Sequence, residues 1–207
     1  MIDACPTPAL VFDLARIEAN LRAITAAARA HGIVPLFAAK SFPHPDVWAL
    51  AAAIADGFDV ASVGEARAVP AAKIVSIADP TGIASEARCE RLIVSCETAE
   101  QAARAPAHAH VAIRLSASGR DPAIGAIRDG TGHRRSRFGL DVDRERRREH
   151  VRAIAAAAGT RPLGLHVHHG SLVATSPQRF ADTAREALRS EERRVGKECR
   201  SRWSPYH

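Results

Sequence analysis

Lysine is nearly missing from this chain. Of 29 basic side chains only Lys40, Lys73 and Lys197 are lysines, and the others are arginines. Cysteine is scarce and scattered: Cys5, Cys89, Cys96 and Cys199 show no CxxC spacing, which excludes a disulfide framework or a zinc signature. No apolar run reaches membrane-spanning length, and the N-terminus has no basic stretch followed by a signal core. A cytoplasmic protein is therefore expected. No Gly-rich dinucleotide fingerprint follows any strand-like segment, which weighs against a Rossmann domain. A strong charge of one sign is also lacking. The formal net charge is +6, but residues 189–207 hold six basic and three acidic side chains, so half of that excess lies there. The near balance of the remainder implies no nucleic-acid partner.

Residues 189–207 stand apart in other ways. They contain no Ala in an otherwise Ala-rich chain, and they hold Trp203 and the only Tyr, Tyr206. They show neither helical nor strand period. Over nearly their whole length they resemble the translated read-through of a widely used sequencing adapter, and they are expected to be a non-native tail. Deleting 189–207 is expected to leave the melting temperature unchanged within error, as scanning calorimetry would check. The basic run Arg144–His150 mixes signs and opens a helical stretch, so it reads as a solvated helix face.

In residues 1–188 strands and helices alternate. Ala9–Phe12 reads as a first strand, and Leu14 to Ala30 as a helix with Leu14, Ile17, Leu21 and Ile24 on one face. Then follow Val34–Ala39 (strand), Asp46–Ala55 (helix), Phe58–Ala61 (strand), Gly64–Val69 (helix), Lys73–Ile77 (strand) and Thr81–Cys89 (helix). Leu92–Ser95 (strand), Thr98–Ala105 (helix), His110–Leu115 (strand), Asp143–Ala158 (helix, stopped by Gly159), Leu163–His168 (strand) and Pro177–Leu188 (helix) complete the series. Six strands from Val34 onward each feed a helix, which implies a parallel sheet. An open doubly wound sheet and a (β/α)8 TIM-type barrel both fit. Six units favour a barrel interrupted after the sixth.

The residues able to do chemistry fall at strand ends. Lys40 closes the apolar run Val34–Ala39, where its ammonium would be costly to desolvate and a share of neutral amine could attack a carbonyl. Period two puts His166 and His168 on one face of Leu163–His168. Gly170 and Ser171 follow at a strand-to-loop corner suited to an anion. Asp59 and Glu65 lie at another strand end, and Arg114 sits inside the apolar Val111–Leu115, where an unpaired charge would be expensive. In a parallel barrel such ends converge on one mouth. Each residue also has a plain structural reading: Lys40 as a surface lysine, the histidines as hydrogen-bonded core residues, Glu65 as a first-turn helix acid.

The segments Thr7–Asp13, Ala38–Pro45 (AAKSFPHP), Phe58–Ser62 (FDVAS), Ser136–Leu140 (SRFGL) and Gly164–Ser171 (GLHVHHGS) occur in that order. Together they resemble the pyridoxal-phosphate enzymes of the alanine-racemase-like barrel fold (fold type III), group IV, the diaminopimelate, ornithine and arginine decarboxylases. The resemblance spans residues 7–188. It implies a pyridoxal-phosphate-binding barrel followed by a β-rich domain in a homodimer, with residues 1–13 carrying a strand that pairs with that second domain. It implies Lys40 as the internal aldimine and His168 stacked on the pyridine ring. It puts Ser171 on the phosphate, Asp59 and Glu65 along the cofactor, and Arg114 near its phenolic oxygen.

His169 and Arg137 depart from the family's commoner residues at their positions. A phosphate loop, the acid at the pyridine nitrogen and a proton donor fall beyond Leu188 in the resemblance, so little or no activity is expected of this chain by itself. Three alternatives stand beside this reading: a racemase or aldolase on the same fold, a non-enzymatic pyridoxal-phosphate-binding barrel, and a metal-dependent hydrolase using His166 and His168. The last is disfavoured because further ligands at metal spacing are missing.

Overall fold

The computed structural model describes residues 8–79, 87–116, 139, 144–168, 178, 181 and 185. The elements, in chain order, are α1 (Leu14–Ala30), β1 (Leu36–Ala38), a 3₁₀ turn (Ala39–Ser41), α2 (Pro45–Ile54), β2 (Gly57–Val60) and α3 (Val63–Ala68). They continue with β3 (Ala72–Ile77), β4 (Cys89–Cys96), α4 (Ala99–Arg104), β5 (His110–Ser116), α5 (Arg144–Ala158) and β6 (Leu163–His168). The chain divides into two compact units, 1–94 and 95–207, with the boundary inside β4.

Local chemistry explains the helix ends. The Asp13 carboxylate accepts from the Arg16 backbone N–H at 3.0 Å and starts α1. Gly32, at φ +70°, ends it. The Ile33 N–H returns to Ala28 O and the Gly32 N–H to Arg29 O, both at 3.0 Å, which satisfies carbonyls the helix leaves open. Thr98 and Gln101 form a capping box at α4. Arg161 closes α5: its guanidinium donates to Ala157 O and Ala158 O at 2.7 Å, and to Ala105 O, just past α4, at 2.8 Å.

The six strands form one sheet in the order β1-β2-β3-β4-β5-β6. The registers of β1–β2, β2–β3, β3–β4 and β5–β6 are parallel. Sequence alone left two architectures open, and strand order separates them. A doubly wound sheet reverses direction at a switch point, whereas this order runs straight on, as in a (β/α) barrel. The described residues form a partial α/β barrel: six strands in one sheet, with helices on the connections that are described.

Because paired residues of parallel strands share a face, the registers sort the side chains. In the first unit Phe58, Val75 and Leu92 lie in one row and Val60, Ile77 and Val94 in the next. All six are buried, each contributing about 1.5–3 kcal/mol of hydrophobic stabilisation. The opposite face carries Ala38, Asp59, Ser76 and Ile93 in a single row. In the second unit Val111, Ile113 and Leu115 are buried on one face. Ala112, Arg114 and Ser116 lie on the other, against Gly164, His166 and His168. Each unit therefore has one apolar face and one mixed face.

Several expectations need correcting. Ala9–Phe12 forms no strand; an extended segment becomes a strand only with a ladder partner, and Leu10, Val11 and Phe12 remain 87%, 58% and 49% exposed. Val34–Ala39 yields only the three-residue β1, because Ala39 turns into the 3₁₀ segment. The helix expected over Thr81–Cys89 does not reach its end. Residues 87 and 88 are not helical and Cys89 already opens β4, three residues before the expected Leu92, while 81–86 lie outside the described residues. On α1, Leu14 and Ile24 are 40% and 66% exposed rather than covered. Pro177–Leu188 lies outside the described residues except 178, 181 and 185, which are helical.

Candidate functional site

In the first unit the chemistry gathers around the turn after β1. Lys40 is the middle residue of the 3₁₀ segment Ala39–Ser41. Two contacts hold that turn, and a third caps the helix after it. The Ser41 hydroxyl donates to Ala38 O at 2.7 Å, and the Trp48 indole N–H donates to Ala39 O at 3.3 Å. His44 Nδ1 accepts from the Asp46 N–H at 3.3 Å and caps α2. Phe12 packs edge-on against Phe42, with ring centroids 4.6 Å apart. Ala39 is fully buried and Lys40 is exposed. The expected desolvation of its ammonium is therefore not met, because the side chain leaves the strand line where the 3₁₀ turn begins. What the turn provides is an accessible amine on an anchored backbone.

Asp59 lies in the row of Ala38 and Ser76, half-buried, one strand over from the start of the Lys40 turn. Glu65 serves the backbone: its carboxylate accepts from the Ala61 N–H at 2.8 Å, while Ser62 Oγ accepts from the Glu65 N–H at 3.1 Å. This is the helix-start reading of Glu65. Asp79 helps at the same end of α3, accepting from the Val63 N–H at 3.1 Å.

In the second unit the mixed face is polar. Arg114 pairs with Glu97, Nη1 to Oε1 at 3.5 Å, and their side chains are only 11% and 22% exposed. The charge that looked expensive inside an apolar strand thus has its counter-ion. His166 lies against Arg114 in the ladder and His168 against Ser116. Ser95 Oγ is 2.7 Å from His166 Nδ1. Sequence reasoning did not single out Ser95 or Glu97. The available signal was polarity at alternate positions: Ser95 and Glu97 interleave with buried Leu92, Val94 and Cys96 where a fully apolar strand end would be ordinary. Ser171, Arg137 and Ser136 lie outside the described residues. Among the described residues no three His, Cys, Asp or Glu side chains gather as a metal site would require.

Cys96 ends β4 fully buried. Burial pushes its thiol up to about 11, against the opposing pull of the Arg161 cation. The native state therefore keeps a proton that an unfolded chain loses near 9.0. Stability is expected to fall as pH rises from about 9 towards about 11. Urea titrations across that range check this, and Cys96→Ser should flatten the slope.

Each unit, taken by itself, carries kinds of group that a pyridoxal cofactor needs. An aldehyde needs an amine such as that of Lys40, and a pyridine ring needs an aromatic face such as that of His168. Anionic oxygens need a guanidinium such as that of Arg114. The family model of the pyridoxal-dependent decarboxylases, for their pyridoxal binding domain, matches residues 14–199. That span takes in every described element from α1 to β6 and runs past Leu188. No curated protein matches the chain.

Proposed function

The chain belongs to the pyridoxal-dependent decarboxylases, as their pyridoxal binding domain, and from that premise we propose that Lys40 is the residue that carries the cofactor. Pyridoxal phosphate is the expected cofactor of this domain. When bound, it supplies a sink for the electron pair left on the substrate as carbon dioxide departs. The observation that supports Lys40 is its place: an exposed amine on an anchored turn directly after the first sheet strand, with Asp59 in the adjoining row.

The other roles are those that the family resemblance implies. His168 packs on the cofactor ring. Arg114, held by Glu97, keeps a fixed positive charge for an anionic oxygen. Asp59 and Glu65 line the cofactor, Glu65 through the peptide it holds at Ala61. Ser171 binds phosphate. The substrate class is an amino acid of the diaminopimelate, ornithine or arginine type, and the working assembly is a homodimer. Carrying the cofactor is the part proposed for these residues. Turnover also needs the acid, phosphate loop and proton donor that the family resemblance places beyond Leu188.

Incubation with pyridoxal phosphate followed by borohydride reduction tests the assignment. One pyridoxyl group should be found, on the peptide containing Lys40. Label on Lys73 or Lys197 in its place would overturn it.

A further inference from the structure

His44 enters none of the contacts proposed above, yet the Lys40 turn is tied to the helix that it caps. Its Nδ1 accepts from the Asp46 N–H at 3.3 Å, and Pro45 fills the first position of α2. Proline has no N–H, so Asp46 carries the first amide of this helix that needs an acceptor. From this start α2 reaches back to both sides of Lys40. On one side the Trp48 indole N–H donates to Ala39 O, while the Trp48 backbone N–H donates to His44 O at 3.0 Å and closes the first turn of the helix. On the other side the His44 N–H donates to Phe42 O at 2.9 Å. The carbonyls of Ala39 and Phe42 bracket Lys40, and both are bonded to residues of the α2 start.

A backbone N–H can only donate. The nitrogen that accepts from it must be bare, so the ring that caps α2 is neutral and carries its proton on Nε2. Protonation puts a hydrogen on Nδ1 and removes the acceptor. Asp46, on α2 itself, is the charged group facing the ring, its carboxylate 3.9 Å from Nδ1. The 3₁₀ turn brings the Lys40 cation, and the Phe42 ring beside it lies 6.5 Å from the imidazole between centroids, with Phe12 edge-on against Phe42. A protonated Nδ1 can donate to the Asp46 carboxylate. Both side chains are at least half exposed, however, and such a pair contributes little. It does not replace the cap, because the Asp46 N–H loses its acceptor.

We propose that His44 is a positioning residue for Lys40: as a neutral imidazole it caps α2, and the capped first turn holds the peptides on either side of Lys40 in the form that takes up the cofactor. The link to the cofactor rests on the reading of Lys40 above, whereas the cap does not. A proton on His44 releases the cap, so uptake carries a pH dependence beyond that of the Lys40 amine itself. Asparagine at this position accepts through an amide oxygen that keeps its lone pairs across the same pH range.

The test uses the ¹⁵N-labelled 207-residue chain with its His44→Asn and His44→Ala variants. Each is measured at about pH 8 and about pH 5, the limits between which histidine ordinarily changes charge. At the higher pH, protection of the Asp46 amide from solvent exchange should be equal in wild type and His44→Asn. In His44→Ala it should be about fivefold lower, the factor that one N-cap carries. At the lower pH the wild type should fall to the level of His44→Ala, while His44→Asn keeps its protection. The dissociation constant for pyridoxal phosphate should follow the same pattern: equal in wild type and His44→Asn at the higher pH, and about fivefold weaker in the wild type at the lower. Should His44→Ala fail to fold, wild type against His44→Asn at the two pH values decides by itself. Equal amide protection in those two proteins at the lower pH would overturn the cap. Equal dissociation constants there, with the protection differing, would overturn the link to Lys40. Failure of the wild type to take up pyridoxal phosphate at the higher pH would sink the cofactor reading, while the Asp46 amide would still decide the cap.

Discussion

Gly57→Ala is expected to destabilise the chain by about 3 kcal/mol or more, the upper end of overpacking at a site that cannot yield. Gly57 opens β2 and is paired with Ile74 of β3. A Cβ at this position would drive into the Ile74 backbone, meeting its carbonyl oxygen, carbonyl carbon and nitrogen. Backbone held in a ladder has no rotamer by which to move aside. The strands would have to part where the fully buried Phe58 and Val75 pack in the next row. Gly64→Ala is the control. It lies in α3, where the nearest atom to an added Cβ is Ser62 Oγ at 3.7 Å, and a change within about 1 kcal/mol is expected from helix propensity. Urea denaturation followed by circular dichroism compares the two. Equal midpoints for Gly57→Ala and wild type would show that β2 and β3 are not held as closely as their register requires.

The largest functional effect is expected from Lys40. Lys40→Ala should abolish the borohydride-trapped pyridoxyl label, and Lys40→Arg should do the same. The arginine control separates charge from chemistry. A guanidinium keeps the positive charge for the phosphate but has no amine that can be made neutral and nucleophilic. Both changes should leave the melting temperature within error, because Lys40 is exposed while the turn beneath it hangs on Ser41, Trp48 and the buried Ala39. The measurement is intact mass after reduction, with melting followed in parallel. Label persisting in Lys40→Ala would move the attachment to Lys73 or Lys197. Label persisting in Lys40→Arg alone would place the bond on another amine, the positive charge at position 40 serving only to keep the cofactor bound.

Much of this fold was legible in the chain itself, and for a local reason. Helix stops are written where they act: Gly32 and Gly159 adopt φ of +70° and +63° within a residue or two of the last helical turn, and Asp13 and Thr98 cap the helices they precede. Leu163–His168 alternates and is a strand over just those residues. The kinds of group at the candidate site were equally visible, because lysine, histidine and arginine at strand ends are a matter of sequence and periodicity. An apolar run misled where a partner was needed. Ala9–Phe12 has the pattern of a strand, but a strand is a pair property, and within the described residues nothing pairs with it.

Tertiary structure decided what no local pattern contains. Both candidate architectures share the same β/α alternation, so only the straight strand order selects the barrel. Arg114 reads as an isolated charge until β4 brings Glu97 against it, 17 residues earlier in the chain. His166 reads as a hydrogen-bonded core histidine without naming its partner, until Ser95, separated by 71 positions, is found at its Nδ1. The exposure of Lys40 depends on where β1 gives way to a 3₁₀ turn, and that turn is held partly by Trp48 from the following helix. Composition and spacing determined which chemistry this chain carries, because side-chain identity and period are local. Which groups meet, which are buried and which stay in reach of solvent were set by contacts between residues far apart in sequence, whose energies no window along the chain can register.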